Sequence, residues 1–93
     1  MWDEAKNRAN QRKHGISFDE AEDIFRSDDY LEIFDEDHSE VEGRFIAIGL
    51  IGRGLVVVVW TPVDEEAGRI ISARPAKGRE ERLFESHVGT RHD

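Results

Sequence analysis

Two runs, RFIAIGLI at 44–51 and LVVVVWT at 55–61, are separated by Gly52, Arg53 and Gly54 alone. Both are rich in β-branched and aromatic residues. A three-residue link with two glycines between such runs predicts a β-hairpin. The second run is apolar at successive positions rather than alternate ones, so both of its faces are to be buried. That predicts a central strand in a sheet covered on two sides, and the rest of the chain has to supply the cover.

Residues 3–14, DEAKNRANQRKH, read as a helix. Asp3 caps it, Asp3 and Glu4 suit its positive end, and Arg12, Lys13 and His14 suit its negative end. Gly15 stops it. Its apolar stripe (Trp2, Ala5, Ala9) is thin, so this helix is expected to pack on something else or to serve a site. Residues 17–26 read as a second helix. Ser17 and Glu20 form the S-x-x-E capping box, Ile16 and Ala21 sit where a hydrophobic staple belongs, and Phe18, Ala21, Ile24 and Phe25 mark its buried face. Residues 30–34 suit a short strand, 35–43 an acidic loop, and 62–68 a turn. Residues 69–74, RIISAR, suit another strand. Simple alternation puts Ile70, Ser72 and Arg74 on one of its faces and Arg69, Ile71 and Ala73 on the other. Residues 78–87 suit a closing helix with Leu83 and Phe84 inward. The expected order is α-α-β-β-β-β-α in one domain spanning 1–93. The fold class is therefore α+β, an antiparallel sheet with two N-terminal helices and a C-terminal helix packed on it, and a meander is the simplest topology.

With no cysteine among 93 residues, disulfides and cysteine-based metal or redox sites are excluded. No apolar run approaches the roughly 18 residues of a membrane span, and the acids at the N-terminus do not resemble a signal peptide, which makes the cytoplasm the expected location. The formal net charge of −8 argues against a polyanion partner, but its distribution does not. Residues 1–16 carry +2, residues 17–43 carry −11 and residues 44–93 carry +1, which together give −8. The acid sits in one block, and both flanks are slightly basic.

The basic residues of interest lie in RIISARPAKGRE at 69–80. Arginine suits bidentate phosphate contacts. Arg74 ends a strand, and Lys77 and Arg79 flank a helix start near Gly78 whose free N–H groups add positive potential. Read as a unit these describe an anion site. The alternative is that Arg74 and Arg79 pair with carboxylates elsewhere in an acidic chain. His14 carries an imidazole, a side chain suited to general acid–base chemistry, and it equally suits a helix C-terminus. His87 and His92 lack the spacing of a metal-ligand motif.

Three stretches taken together, WDEAKNRANQRKHGISFDEAEDIF (2–25), RFIAIGLIGRGLVVVVWT (44–61) and RIISARPAKGREERLF (69–84), resemble the BrnT toxins. Trp2, Asp3, Lys6, Asn10, Lys13, His14, Gly15, Ile16, Ser17 and Phe18 match the family's first motif, and R-I-I-S-A-R matches its second. The resemblance implies a fold similar to the RelE-like ribonuclease toxins. It implies metal-independent RNA cleavage without a cofactor, with arrest of translation and growth. It also implies a BrnA-type ribbon-helix-helix antitoxin in a 2:2 complex that binds operator DNA through the antitoxin. Under it, His14 and Lys13 are the acid–base candidates. Arg44, Arg69 and Arg74 would stabilise phosphorane charge with Ser72 as a donor, and Lys6, Lys77, Arg79 and Arg82 would hold flanking RNA phosphates. Pro75, Gly78 and the acidic stretch 28–42 depart from the family pattern, and a catalytically inactive homologue serving as an antitoxin-binding co-repressor is the alternative.

Overall fold

The computed structural model describes residues 1–36 and 43–92. Helix α1 (Glu4–His14) is followed by one turn of α-helix, α2 (Phe18–Ala21), which tightens into a 3-10 helix over Glu22–Arg26. Strands β1 (Leu31–Phe34), β2 (Phe45–Ile51), β3 (Gly54–Pro62) and β4 (Gly68–Pro75) form an antiparallel meander in the order β1-β2-β3-β4. Helix α3 (Gly78–His92) closes the chain. Most of the expected acidic loop at 35–43 lies outside the described residues.

The local signals account for the element ends. Asp3 Oδ1 accepts from the backbone N–H of Ala5 at 2.8 Å, and Gly15 turns the chain off α1 with φ of 72°. The capping box is complete, with Ser17 and Glu20 satisfying each other's backbone N–H groups. The residue after α2 continues as 3-10 rather than α, so the expected ten-residue helix exists as two short pieces.

β3 lies between β2 and β4, and its two faces bury two clusters. Val56 and Val58 join Ile16, Phe18, Ala21, Ile24, Ala47, Ile70 and Ala73 beneath the N-terminal helices. Val57 joins Ile48 and Phe84 beneath α3. Leu83, expected inward, is exposed, because Phe84 and Val88 take the sheet-facing side of α3.

The largest departure concerns α1. Of its expected stripe, Trp2 packs against the core while Ala5 and Ala9 are exposed, and the buried residues of the helix are Asn7 and Asn10. These amides replace apolar packing with backbone recognition. Asn7 Oδ1 accepts from the N–H of Phe18 at 2.8 Å. Asn10 Nδ2 donates to the carbonyls of Ile16 (2.9 Å) and Ala73 (2.8 Å), and its Oδ1 accepts from the N–H of Ala73. Asn10 thus imitates a neighbouring strand on the outer edge of β4. Met1 extends the imitation: its carbonyl accepts from Ile70 N–H and its amino group donates to the Gly68 carbonyl, each at 2.9 Å. α1 is polar because it recognises an edge.

Candidate functional site

The site residues of β4 are placed by an irregularity. Trp60 pairs with Ile70 and Val59 with Ser72, which leaves Ile71 as an extra residue in the β3–β4 ladder. This bulge corrects the alternation expected for RIISAR. Ile70 and Ala73 both enter the core beneath α1 and α2. Arg69, Ser72 and Arg74 pair with Thr61, Val59 and Val57, and all share the opposite, α3-facing side. Arg44, one residue before β2, belongs to that side by alternation with Phe45, which stacks on Trp60 across the other face. Three arginines and a serine therefore share one sheet face.

Arg74 is engaged. Its guanidinium meets the Glu80 carboxylate in a fork, with Nη1 donating to Oε1 at 2.8 Å and Nη2 to Oε2. Glu80 Oε1 also accepts from the backbone N–H of Lys77 at 2.8 Å, closing the first turn of α3. The hydrogen bonds from Arg74 hold the Glu80 carboxyl below the usual carboxylate range, and the same bonds raise the Arg74 guanidinium. The planar face that would grip a phosphate grips a carboxylate. Lys77, Arg79 and Arg82 are exposed around this helix start. The Arg82 Nη1 folds back to within 3.4 Å of where a Cβ on Gly78 would sit.

The α1 residues form a second group. His14 lines a cleft of about 320 Å³ with Arg53, Leu55, Val56 and Pro75. Lys13 precedes it in the last turn of α1, and both Lys13 and Lys6 are exposed. Pro75 lies between the groups, since it lines the His14 cleft and its carbonyl accepts from Arg74 Nη1. The ten expected residues thus fall on two sides of β4 rather than in a single pocket.

Arg53 belongs to the cleft, and the sequence reading used it only as the middle of a turn. It donates to the Gly15 carbonyl and pairs with Glu20 at 3.2 Å, tying the hairpin tip to the end of α1. A charged residue between two glycines at a hairpin tip was the available signal. His87 was considered only for metal binding. On α3 its Nε2 is buried with no hydrogen-bond partner among the described residues. Among those residues no cluster of three His, Asp or Glu side chains could hold a metal ion, and no helix is long and apolar enough to cross a membrane.

The family model for the ribonuclease toxin BrnT of type II toxin–antitoxin systems matches residues 2–80, which include both groups except Arg82. The chain belongs to the BrnT family. Its architecture is similar to the crystal structure of the Brucella abortus ribonuclease toxin BrnT. That match has 30% sequence identity and a TM-score of 0.62, and covers 83% of this chain and 94% of the other. Among curated protein sequences, none matches the chain. The BrnT match agrees with the four-stranded antiparallel sheet and three helices found here. The family is that of toxins from type II toxin–antitoxin systems, so an antitoxin partner goes with it.

Proposed function

We propose that this BrnT-family chain cleaves RNA without a metal ion, inhibits translation and growth, and is neutralised by a BrnA-type ribbon-helix-helix antitoxin in a 2:2 complex. The observation that carries the reading is the β4 bulge, which sets Arg69, Ser72 and Arg74 on one sheet face, with Arg74 against the start of α3.

In the proposed reaction the RNA 2′-oxygen attacks the adjacent phosphorus. Its proton passes to a base, and the bond to the 5′-oxygen breaks as an acid protonates that oxygen. The products are a 2′,3′-cyclic phosphate and a 5′-hydroxyl. His14 and Lys13 are the acid–base candidates, acting across Pro75 at the end of β4. Arg44, Arg69 and Arg74 take the negative charge that grows on the phosphorane oxygens, and Ser72 donates to one of them. Lys6, Lys77, Arg79 and Arg82 hold the phosphates on either side. RNA competes with Glu80 for the Arg74 fork, so productive binding includes the exchange of one anion for another.

The test is induced expression with and without the partner antitoxin, together with cleavage of purified RNA in excess chelator. Growth arrest, RNA loss and chelator-resistant cleavage are expected. An Arg69→Ala, Arg74→Ala double variant, soluble and folded, is expected to lose most cleavage. Undiminished growth and intact RNA with soluble protein present would refute the reading. A second reading, an antitoxin-binding co-repressor without activity, is favoured by one observation, that Arg74 is already occupied by Glu80. It predicts intact RNA with the antitoxin still bound.

A further inference from the structure

On the α1 and α2 side of the sheet, at the end away from the His14 cleft, a cavity of about 460 Å³ opens between the 3-10 helix and the β3–β4 turn. Its walls include Phe25, Tyr30 and Trp60, with Met1 beside them and the carboxyl-bearing residues Glu22 and Glu66 at its margin. The Phe25 ring stands nearly perpendicular to both of its neighbours, at 81° to Tyr30 and 80° to Trp60, with centroids 5.3 Å and 5.9 Å away. Phe25 thus meets both other rings edge to face, and the three line the cavity as an aromatic box.

The box is held open by its neighbours. Phe45 stacks on Trp60 at 5.1 Å, and the Trp60 indole N–H donates to Glu32 at 3.0 Å. Gly68 is a wall because a side chain there could not fit: its Cβ would sit 2.8 Å from the Trp60 ring. Trp60 is thereby fixed from several directions.

Its electrostatics favour a cation. Among the described residues neither Glu22 nor Glu66 has an ion-pair partner, and Glu32 lies against Trp60. The Met1 amino group, which donates to the Gly68 carbonyl, keeps its single positive charge at this margin and is outnumbered by the carboxylates of Glu22, Glu66 and Glu32. Glu22 also belongs to the block 17–43, which carries −11. Aromatic faces attract cations through their quadrupole, most strongly where water is displaced, and nearby carboxylates add to the attraction. Arginine and lysine side chains combine a long apolar stem with a charged head, as an apolar box with an acidic rim requires.

We propose that this cavity is a docking pocket for an arginine or lysine side chain carried on a basic segment of a partner protein. A free small ammonium ion would leave much of the cavity empty and the carboxylates of Glu22, Glu66 and Glu32 only partly matched. A basic segment matches both, with one side chain in the box and its neighbours over the acids. The site lies on the opposite face of the sheet from Arg69, Ser72 and Arg74, although Gly68 and Ile70, the neighbours of Arg69, line it, and it does not depend on the ribonuclease reading.

The experiment follows the indole N–H signals of Trp60 and Trp2 by NMR while the full chain is titrated with three probes. These are a short peptide containing two arginines, the same peptide with citrulline in their place, and tetramethylammonium. Trp2 is the internal control, since its N–H bonds to Glu4 outside the cavity. Saturable movement of Trp60 with the arginine peptide is expected, with little from citrulline. A Glu22→Gln, Glu66→Gln variant, whose changes lie on exposed residues, is expected to bind about five-fold more weakly or worse. Four results would overturn the proposal. These are citrulline binding as well as arginine, shifts confined to the acidic block with Trp60 still, unchanged affinity in the double variant, or tetramethylammonium matching the peptide.

Discussion

Replacing Asn10 by alanine tests the most unusual part of this fold. The amide makes three hydrogen bonds to backbone groups, namely the Ile16 carbonyl, the Ala73 carbonyl and the Ala73 N–H. Asn10 is 7% exposed, Ile16 3% and Ala73 0%, so water cannot simply replace the lost partner. At about 1–1.5 kcal/mol for each orphaned group, the variant loses about 3–5 kcal/mol. A domain of 93 residues has roughly 5–14 kcal/mol in all. At roughly 4–8 °C per kcal/mol, the melting temperature falls by roughly 12 °C or more. Thermal and urea denaturation followed by circular dichroism measure both quantities. Asn10→Asp is the informative companion. It keeps an acceptor for the Ala73 N–H but sets a carboxylate against two carbonyl oxygens. Its carboxyl is expected to titrate above the usual range, so its penalty is greatest near neutrality and eases as the pH falls toward about 4. If Asn10→Ala melts within a few degrees of the parent, the edge-recognition argument for α1 is wrong.

The other predictions concern the site and the sheet. Glu80→Gln leaves an acceptor for the Lys77 N–H but removes the charged fork, at a cost of about 1 kcal/mol given its partial exposure. Because Arg74 lowers the Glu80 carboxyl, that stabilisation is present above the ordinary glutamate range and is lost as pH falls through the lowered folded value. The melting difference between parent and variant therefore shrinks at acid pH, and a difference independent of pH would argue against the pairing. The same variant releases Arg74 and is expected to bind single-stranded RNA more tightly in a salt titration. Gly49→Ala places a Cβ 3.0 Å from Ile24 Cβ and 3.1 Å from Tyr30 Cβ, atoms fixed close to the backbone, and should cost about 1–3 kcal/mol in urea denaturation. Arg53→Ala, which removes an exposed pair, should change stability by less than about 1 kcal/mol in the same assay.

Elements with local signals were legible in the sequence. The hairpin around Gly52–Gly54, the Ser17 capping box and the Gly15 stop depend on near neighbours, and the apolar run 55–61 required a central strand wherever its partners came from. What was not legible depends on distant contacts. Asn7 and Asn10 lie outside the apolar stripe expected for α1, and only the placement of β4 and Phe18 beside that helix makes them interior. The Ile71 bulge carries no glycine to announce it, so alternation put Ile70 with Ser72 and Arg74 and left Arg69 on the opposite face. That Arg74 pairs with a carboxylate was legible as an alternative, but its partner, Glu80, lies within the basic stretch itself rather than elsewhere in the chain. The separation of His14 from the β4 arginines across Pro75 followed from topology alone, and no motif spacing encodes it.

The false strand made by Met1 and Asn10 decides how this small sheet can grow. An exposed edge offers a row of backbone donors and acceptors that another chain can zip onto. On β4 those groups are spent at Gly68, Ile70 and Ala73. Templated addition of a foreign strand, whether by a partner or by a misfolded copy, is directed to the opposite margin at β1. β1 is only four residues long and carries the exposed side chains of Glu32, Ile33 and Phe34. The fold therefore guards the margin that bears its basic residues and leaves its growth point on the acidic side, where self-association has to overcome like charge.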